Sequence, residues 1–270
     1  MQRITHKNNV ITYTFDSLRG LPVHAHVSTR HGGVSPAPWN SLNFSVRRGD
    51  TPERVAQNRG LLAQGVGIDP RMIVTCSMIH GTGIAKVDAD DAGTRQSDCD
   101  GLITDAVGLP LMLTFADCTP LVFYDPRHHV LGVSHAGWRG TLNGMSLATL
   151  WAMQAAYDSN PADMRVGIGP SIGPASYQVG REVLDMARAK LPHADDLFHW
   201  PDGPDANPHF DLWQANARGL IDAGVPPQQI EIAGIDTAQN TGDFFSHRAE
   251  QGRCGLFVSI AWLAESRDGL

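Results

Sequence analysis

The sequence predicts an α+β fold of α/β sandwich type, a mixed β-sheet core flanked by helices, forming one domain over residues 1–270. Three observations carry that prediction. Short apolar runs crowd residues 72–134, and several are continuous rather than alternating, as strands buried on both faces are. Helical segments stand before and after these runs, the first opened by a cap signal. The 270 residues are 42% hydrophobic and 18% charged, enough to bury a large core, with no internal repeat or low-complexity tract.

In chain order, residues 23–28 alternate as a strand, and Thr29-Arg30-His31-Gly32-Gly33 follows as a tight loop. Thr51-Pro52-Glu53 supplies a cap residue and then proline at the first helical position, opening a helix to about Gln64. Apolar strands follow at 72–76, 84–87, 101–104, 111–116, 121–124 and 130–134. Gly137 and Gly140 then permit a turn into a long helix from about Gly140 to Tyr157. A strand at 165–168 precedes helices at 180–190 and 212–223, and strands at 230–235 and 256–261 close the sheet. Residues 192–208, with four prolines, form a surface excursion.

Charge and cysteine use narrow the function. The net charge is −7 and there is no Lys/Arg run, which argues against nucleic acid as a partner. The polar start lacks a signal-like apolar region, and no apolar run reaches the roughly 18–20 residues that span a bilayer. Four cysteines (Cys76, Cys99, Cys118, Cys254) without a CxxC pair fit neither a disulfide scaffold nor a four-cysteine zinc site. The reading is a cytoplasmic monomer with reduced thiols and no membrane partner.

Three distant segments put a soft or nitrogen ligand beside small residues: Met78-Ile79-His80-Gly81, Phe115-Ala116-Asp117-Cys118 and Ser134-His135-Ala136-Gly137. His80, Cys118 and His135 make three ligands, one short of a closed tetrahedral zinc site, as in catalytic zinc sites with an open position. Alone, His80 reads as a structural strand-end histidine and Cys118 as a buried inert thiol, while His135, ending its strand before Gly137, is the strongest of the three. Asp117 shifts that balance, because a carboxylate at the end of a buried strand needs a partner. Arg139, near a predicted helix N-terminus, is a candidate anion holder, since free backbone N–H groups and a guanidinium both suit phosphate. Gly167-Ile168-Gly169-Pro170 and the following Ser171-Ile172-Gly173-Pro174 suggest a cleft wall, without the spacing of a nucleotide-binding loop. Arg30 and Arg248 are the other cationic candidates.

Together these segments resemble the YfiH-like family, also known as laccase-domain or multicopper polyphenol oxidase proteins. The resemblance rests on Thr29-Arg30-His31-Gly32-Gly33-Val34-Ser35, Asn40-Ser41-Leu42-Asn43, Ile79-His80-Gly81, Asp100-Gly101-Leu102-Ile103-Thr104 and Ala116-Asp117-Cys118-Thr119-Pro120. It continues through His135-Ala136-Gly137-Trp138-Arg139-Gly140-Thr141, Gly167–Gly173 and Phe245-Ser246-His247-Arg248. It implies a YfiH-like fold with zinc held by His80, Cys118 and His135, which are also the catalytic residues. It implies purine nucleoside phosphorolysis of adenosine, inosine and S-methyl-5′-thioadenosine, with adenosine deamination beside it. Arg30, Asn43, Arg139 and Arg248 are the substrate-binding candidates, and nucleosides and phosphate the partners. Met78 stands where the family usually has glutamine, and Thr237-Ala238 where it often has Cys-Thr.

Two other chemistries use the same residues. A copper-dependent polyphenol oxidase needs several His-x-His pairs, whereas this chain has one, His24-Ala25-His26; a single His₂Cys copper site with a nearby methionine remains open. A metal-free Cys-His hydrolase, for example an amidase on a peptidoglycan precursor, would use Cys118 as nucleophile, His135 as base and a second histidine as orienting group. A non-catalytic nucleoside-binding module is the third class.

Overall fold

The computed structural model describes residues 1–265, and in it two mixed sheets face each other. The first runs, edge to edge, Gln2–Thr5, Ile11–Thr14, Val23–Ser28, Phe257–Leu263, Leu111–Phe115, Val74–Cys76 and Arg95–Gln96. The second runs Ile230–Ile232, Arg165–Ile168, Thr119–Asp125, Val130–Ala136, Gly101–Thr104 and Ile84–Lys86. Alternation explains how both sheets are covered. Leu111, Leu113 and Phe115 of the first sheet share a buried cluster with Val122, Tyr124, Leu131 and Val133 of the second. Met112, Val258 and Ile260 point the other way and pack with Leu62 of helix α1 (Pro52–Val66). On the far face of the second sheet, Leu121, Phe123 and Val130 meet Leu150 and Met153 of α3 (Met145–Tyr157) and Leu220 of α5 (Leu212–Asp222). Helix α2 spans Trp138–Leu142 and α4 spans Arg181–Lys190. Apolar residues on both faces of a strand are what the continuous runs required.

The α+β sandwich reading holds, and the Thr51 hydroxyl caps α1 by accepting from the Arg54 N–H at 3.4 Å. Two readings are corrected, and one pair of strands was not anticipated. The long helix predicted from Gly140 to Tyr157 is two helices, because the chain breaks at Asn143-Gly144, where Gly144 takes φ +81°. The last two strands do not close one sheet: Ile230–Ile232 edges the second and Phe257–Leu263 lies inside the first. The polar start carries two strands, paired from Gln2↔Thr14 to Thr5↔Ile11, which a weak apolar pattern did not reveal. The excursion at 192–208 is anchored by a short ladder, Phe198–His199 with His209–Phe210, whose two phenylalanines stack at 4.7 Å.

Candidate metal centre

Antiparallel register gathers the site at one end of the second sheet. Ala136 pairs with Thr119, so Cys118, just before that strand, lies beside His135. Ser134 pairs with Gly101, and the His135 N–H donates to the Asp100 carbonyl at 2.7 Å. His80 arrives on the loop that crosses from Val74–Cys76 in the first sheet to Ile84–Lys86 in the second. The ligand atoms of His80, Cys118 and His135 all lie within 4.8 Å of one another, and this is the one such His/Cys/Asp/Glu group among the described residues.

Asp100 holds the two histidines. Its buried carboxylate accepts from the backbone N–H groups of Ile79 (3.1 Å), His80 (2.9 Å) and Gly81 (2.8 Å), and its Oδ1 lies 3.1 Å from His135 Nδ1. Burial alone would raise its pKa, but His135 and these donors lower it, so the carboxylate is ionised. An ionised acceptor at Nδ1 places the His135 proton there and leaves Nε2 as the free lone pair. His80 sits at φ +61° and Asp117 at φ +80°, left-handed conformations that cost non-glycine residues about 1–3 kcal/mol unless their surroundings hold them. Asp100 does so for His80. For Asp117 the partners that burial demanded are the Thr237 hydroxyl at 2.7 Å and the Arg248 N–H at 2.6 Å.

Gly137 closes one side. A Cβ there would meet Cys118 Sγ at 3.1 Å and His80 Cδ2 at 3.4 Å, so any side chain would crowd the cluster. Three converging donors, one tautomer fixed by a buried carboxylate, and a cradle kept clear by glycine fit a bound metal with an open position. Without metal the same atoms are a charged pair. Burial pushes the Cys118 thiol up, but His135 and His80 outweigh it and bring it down to about 6. Burial pushes His135 down, but Cys118 and Asp100 outweigh it and raise it to about 9.

Two cavities meet at this cluster, and His80, Ala116 and Cys118 line both. One, of about 290 Å³, is walled by Trp138, Tyr177, Arg139 and Arg248. The Arg139 guanidinium lies 4.2 Å from the Trp138 ring, and Arg248 donates to the Gln178 carbonyl at 2.9 Å. The other, of about 280 Å³, is lined by Met78, Arg47, Arg59 and Arg95. A larger cavity of about 680 Å³ includes none of the three ligands.

Of the substrate-binding candidates, the fold brings Arg139 and Arg248 to the cluster. Arg30 goes elsewhere: it pairs with Glu250 at 3.1 Å, donates to the Asn40 carbonyl and stacks on Phe245 at 4.4 Å. Asn43 is fully buried and its amide is occupied by Ser45, Asp50 and Leu256. The anion-holding helix N-terminus behind Arg139 is also corrected. Five residues make little more than one turn, too short for a useful macrodipole. The His24-Ala25-His26 pair is spent on packing, both rings stacking on Trp262 at 4.9 and 5.5 Å. Asp100 was missed as a functional residue although its segment was noted, because its partners His80 and His135 lie 20 and 35 residues away in the chain and leave no local sign beside it.

A fold and a three-ligand centre of this kind define a protein class. The model of the family described as multi-copper polyphenol oxidoreductase laccase matches residues 24–264, and the chain belongs to that family. Its relatives include purine nucleoside phosphorylase YlmD of Geobacillus stearothermophilus, 37% identical over 243 residues (87% of this chain, 88% of the relative). YlmD of Bacillus subtilis is 35% identical over 253 residues, covering 90% of each chain. The crystal structure of Geobacillus YlmD matches with a TM-score of 0.90 at 33% identity, covering 98% of both chains. The structure of Bacillus licheniformis hypothetical protein YfiH matches at 0.88 with 32% identity, covering 97% of this chain and 98% of that one.

Proposed function

We propose that the chain is a zinc-dependent purine nucleoside phosphorylase acting on adenosine, inosine and S-methyl-5′-thioadenosine, with adenosine deamination as a side activity. The observation that carries this reading is a three-ligand cluster opening onto a cavity walled by Trp138 and Tyr177. Flat aromatic walls suit a purine ring. The volume is at the small end of small-molecule sites, roughly 300–1,000 Å³. Burial raises the Tyr177 pKa, so its hydroxyl stays a donor.

In phosphorolysis a phosphate oxygen bonds to the anomeric carbon as the bond to the base nitrogen breaks. The electron pair leaves with the base, which takes the proton that phosphate brought. Holding both reactants in line is the main task of such a site. The relatives' names support this reaction class. Zinc on His80, Cys118 and His135 would supply Lewis-acid polarisation of a substrate atom. Asp100 keeps His135 Nε2 aimed, Gly137 keeps the cradle open, and Trp138 and Tyr177 orient the base.

A second reading is favoured by the Cys118–His135 charge pair with Asp100 behind it, the orienting group being this carboxylate rather than a second histidine. That constellation suits a cysteine hydrolase acting on an amide. The test is metal analysis of purified protein, then chromatography of products from each nucleoside with and without phosphate. The expected result is one zinc per chain, free base and ribose 1-phosphate, and no product from His135→Ala. Base release independent of phosphate would make the enzyme a hydrolase. Copper with phenol oxidation would restore the oxidase reading. A metal-free protein without nucleoside turnover would favour the amidase.

A further inference from the structure

The second cavity raises a question of charge. Arg47, Arg59 and Arg95 line it, and among the described residues no aspartate or glutamate does, in a chain whose net charge is −7. Among the described residues none of the three guanidinium groups has a carboxylate partner, whereas Arg54, a few residues away on α1, reaches Asp50 at 3.8 Å. Arg59 is the most exposing case. Its Nε is shielded from solvent and has no acceptor. Leaving a buried donor unpaired is unfavourable, and more so for a charged group. Burial lowers the Arg59 pKa and the charge of Arg95, which lines the same cavity, lowers it further, so the two groups repel each other. Like charges gathered without a counter-ion are unfavourable until an anion joins them.

The cavity is also built. Asn58, next to Arg59 on α1, donates to the Ser35 hydroxyl and to the Asn43 carbonyl at 2.9 and 2.8 Å. Asn43 in turn donates to Asp50 at 2.9 Å and to the Ser45 carbonyl, and Ser45 Oγ accepts from the Arg47 N–H at 3.2 Å. This buried network ties the Arg47 loop to the helix that carries Arg59. It gives Asn43 a role one step behind the ligand rather than on it.

We propose that this cavity is an oxyanion site, in which Arg47, Arg59 and Arg95 hold a tetrahedral phosphate group beside His80 and Cys118. Arginine forks match phosphate oxygens two at a time, which suits a group of this shape. Under the phosphorylase reading, on which this role rests, phosphate and nucleoside occupy two separate cavities that meet at the three-ligand cluster. Arg139 and Arg248 then belong to the nucleoside side. The oxyanion is either free inorganic phosphate or the phosphate group of a phosphorylated nucleoside, and the two sources are separable by experiment.

The test is calorimetric titration of inorganic phosphate, and separately of adenosine 5′-monophosphate, into metal-loaded protein. Arg59→Met should weaken phosphate binding about tenfold or more, the double variant with Arg95→Gln further, and Arg59→Lys should recover part of it. Arg139→Gln and Arg248→Gln should leave phosphate affinity within about twofold. Adenosine binding, followed by Trp138 fluorescence, should move little in Arg59→Met. Binding of the monophosphate but not of inorganic phosphate, lost in Arg59→Met, keeps the site and assigns the anion to the substrate's own phosphate. Unchanged phosphate affinity in the folded double variant overturns the proposal, as does loss confined to the Arg139 and Arg248 variants. The readout is binding, so the two hypotheses fail separately. Phosphate bound at Arg59 without phosphorolysis sinks the function but keeps the site, and phosphorolysis with a phosphate KM indifferent to Arg59 does the reverse.

Discussion

His135 and His26 are both buried on strands, and they are in opposite states. His26, in the first sheet, has the neutral Thr12 hydroxyl 3.1 Å from its Nδ1, and burial, with His6 and His24 nearby, takes its pKa down to about 3. His135, in the second sheet, is just as enclosed, yet Cys118 and Asp100 raise it to about 9. Burial is common to both and pushes both the same way. What differs is whether an anion stands within reach. A histidine count therefore identifies no site; a buried ring with both Cys118 and Asp100 within reach does.

Breaking that carboxylate contact should have the largest effect. Asp100→Asn is expected to weaken metal binding about 10–100-fold, measured by competition with a chromogenic chelator. It should leave His26 and the first sheet untouched. A variant that binds metal normally would reduce Asp100 to a loop clamp for His80.

The thiol comes next. In metal-stripped protein Cys118 should react with iodoacetamide with a midpoint at pH about 6, because the thiolate is the nucleophile and the histidines favour it. Restoring zinc should slow labelling strongly, as metal holds the sulfur. Rapid labelling of the zinc-loaded protein would favour the hydrolase reading. Gly137→Ala is a gentler probe of the same cluster. Its Cβ would press on Cys118 Sγ, and activity should fall about tenfold while the melting temperature shifts by only a few degrees.

His26 offers the smallest effect and the cleanest contrast. Above its unfolded pKa of 6.5, both states are neutral at this position and pH changes nothing. As pH falls from 6.5 toward 3, the unfolded chain takes up a proton that the folded chain refuses, so stability is lost, by up to a few kcal/mol. His26→Leu should flatten that slope in urea denaturation between pH 6.5 and 4, and leave metal content unchanged. An equally steep slope in the variant would show that other groups control the acid limb.

The sequence by itself determined most of the layers. The continuous apolar runs at 111–116 and 121–124 suited strands covered on both sides, observed at Leu111–Phe115 and Thr119–Asp125, and the Thr51-Pro52 signal placed the start of α1 within a residue. Periodicity and capping act over a few residues, so they survive in one dimension. The residues of the candidate centre were legible too, because His80, Cys118 and His135 each stand in a distinctive local segment, and the fold brings them together. Only the tertiary structure decided which charges belong to the site. Arg30 and Arg248 look alike in the sequence, yet one closes on Glu250 and the other lines the aromatic cavity. Arg59 sits mid-helix without a motif, and it becomes notable only when α1 packs its side chain into a cavity that no carboxylate of the described residues lines. Electrostatic meaning depends on separations of a few ångströms between segments distant in the chain, and strand register sets those separations.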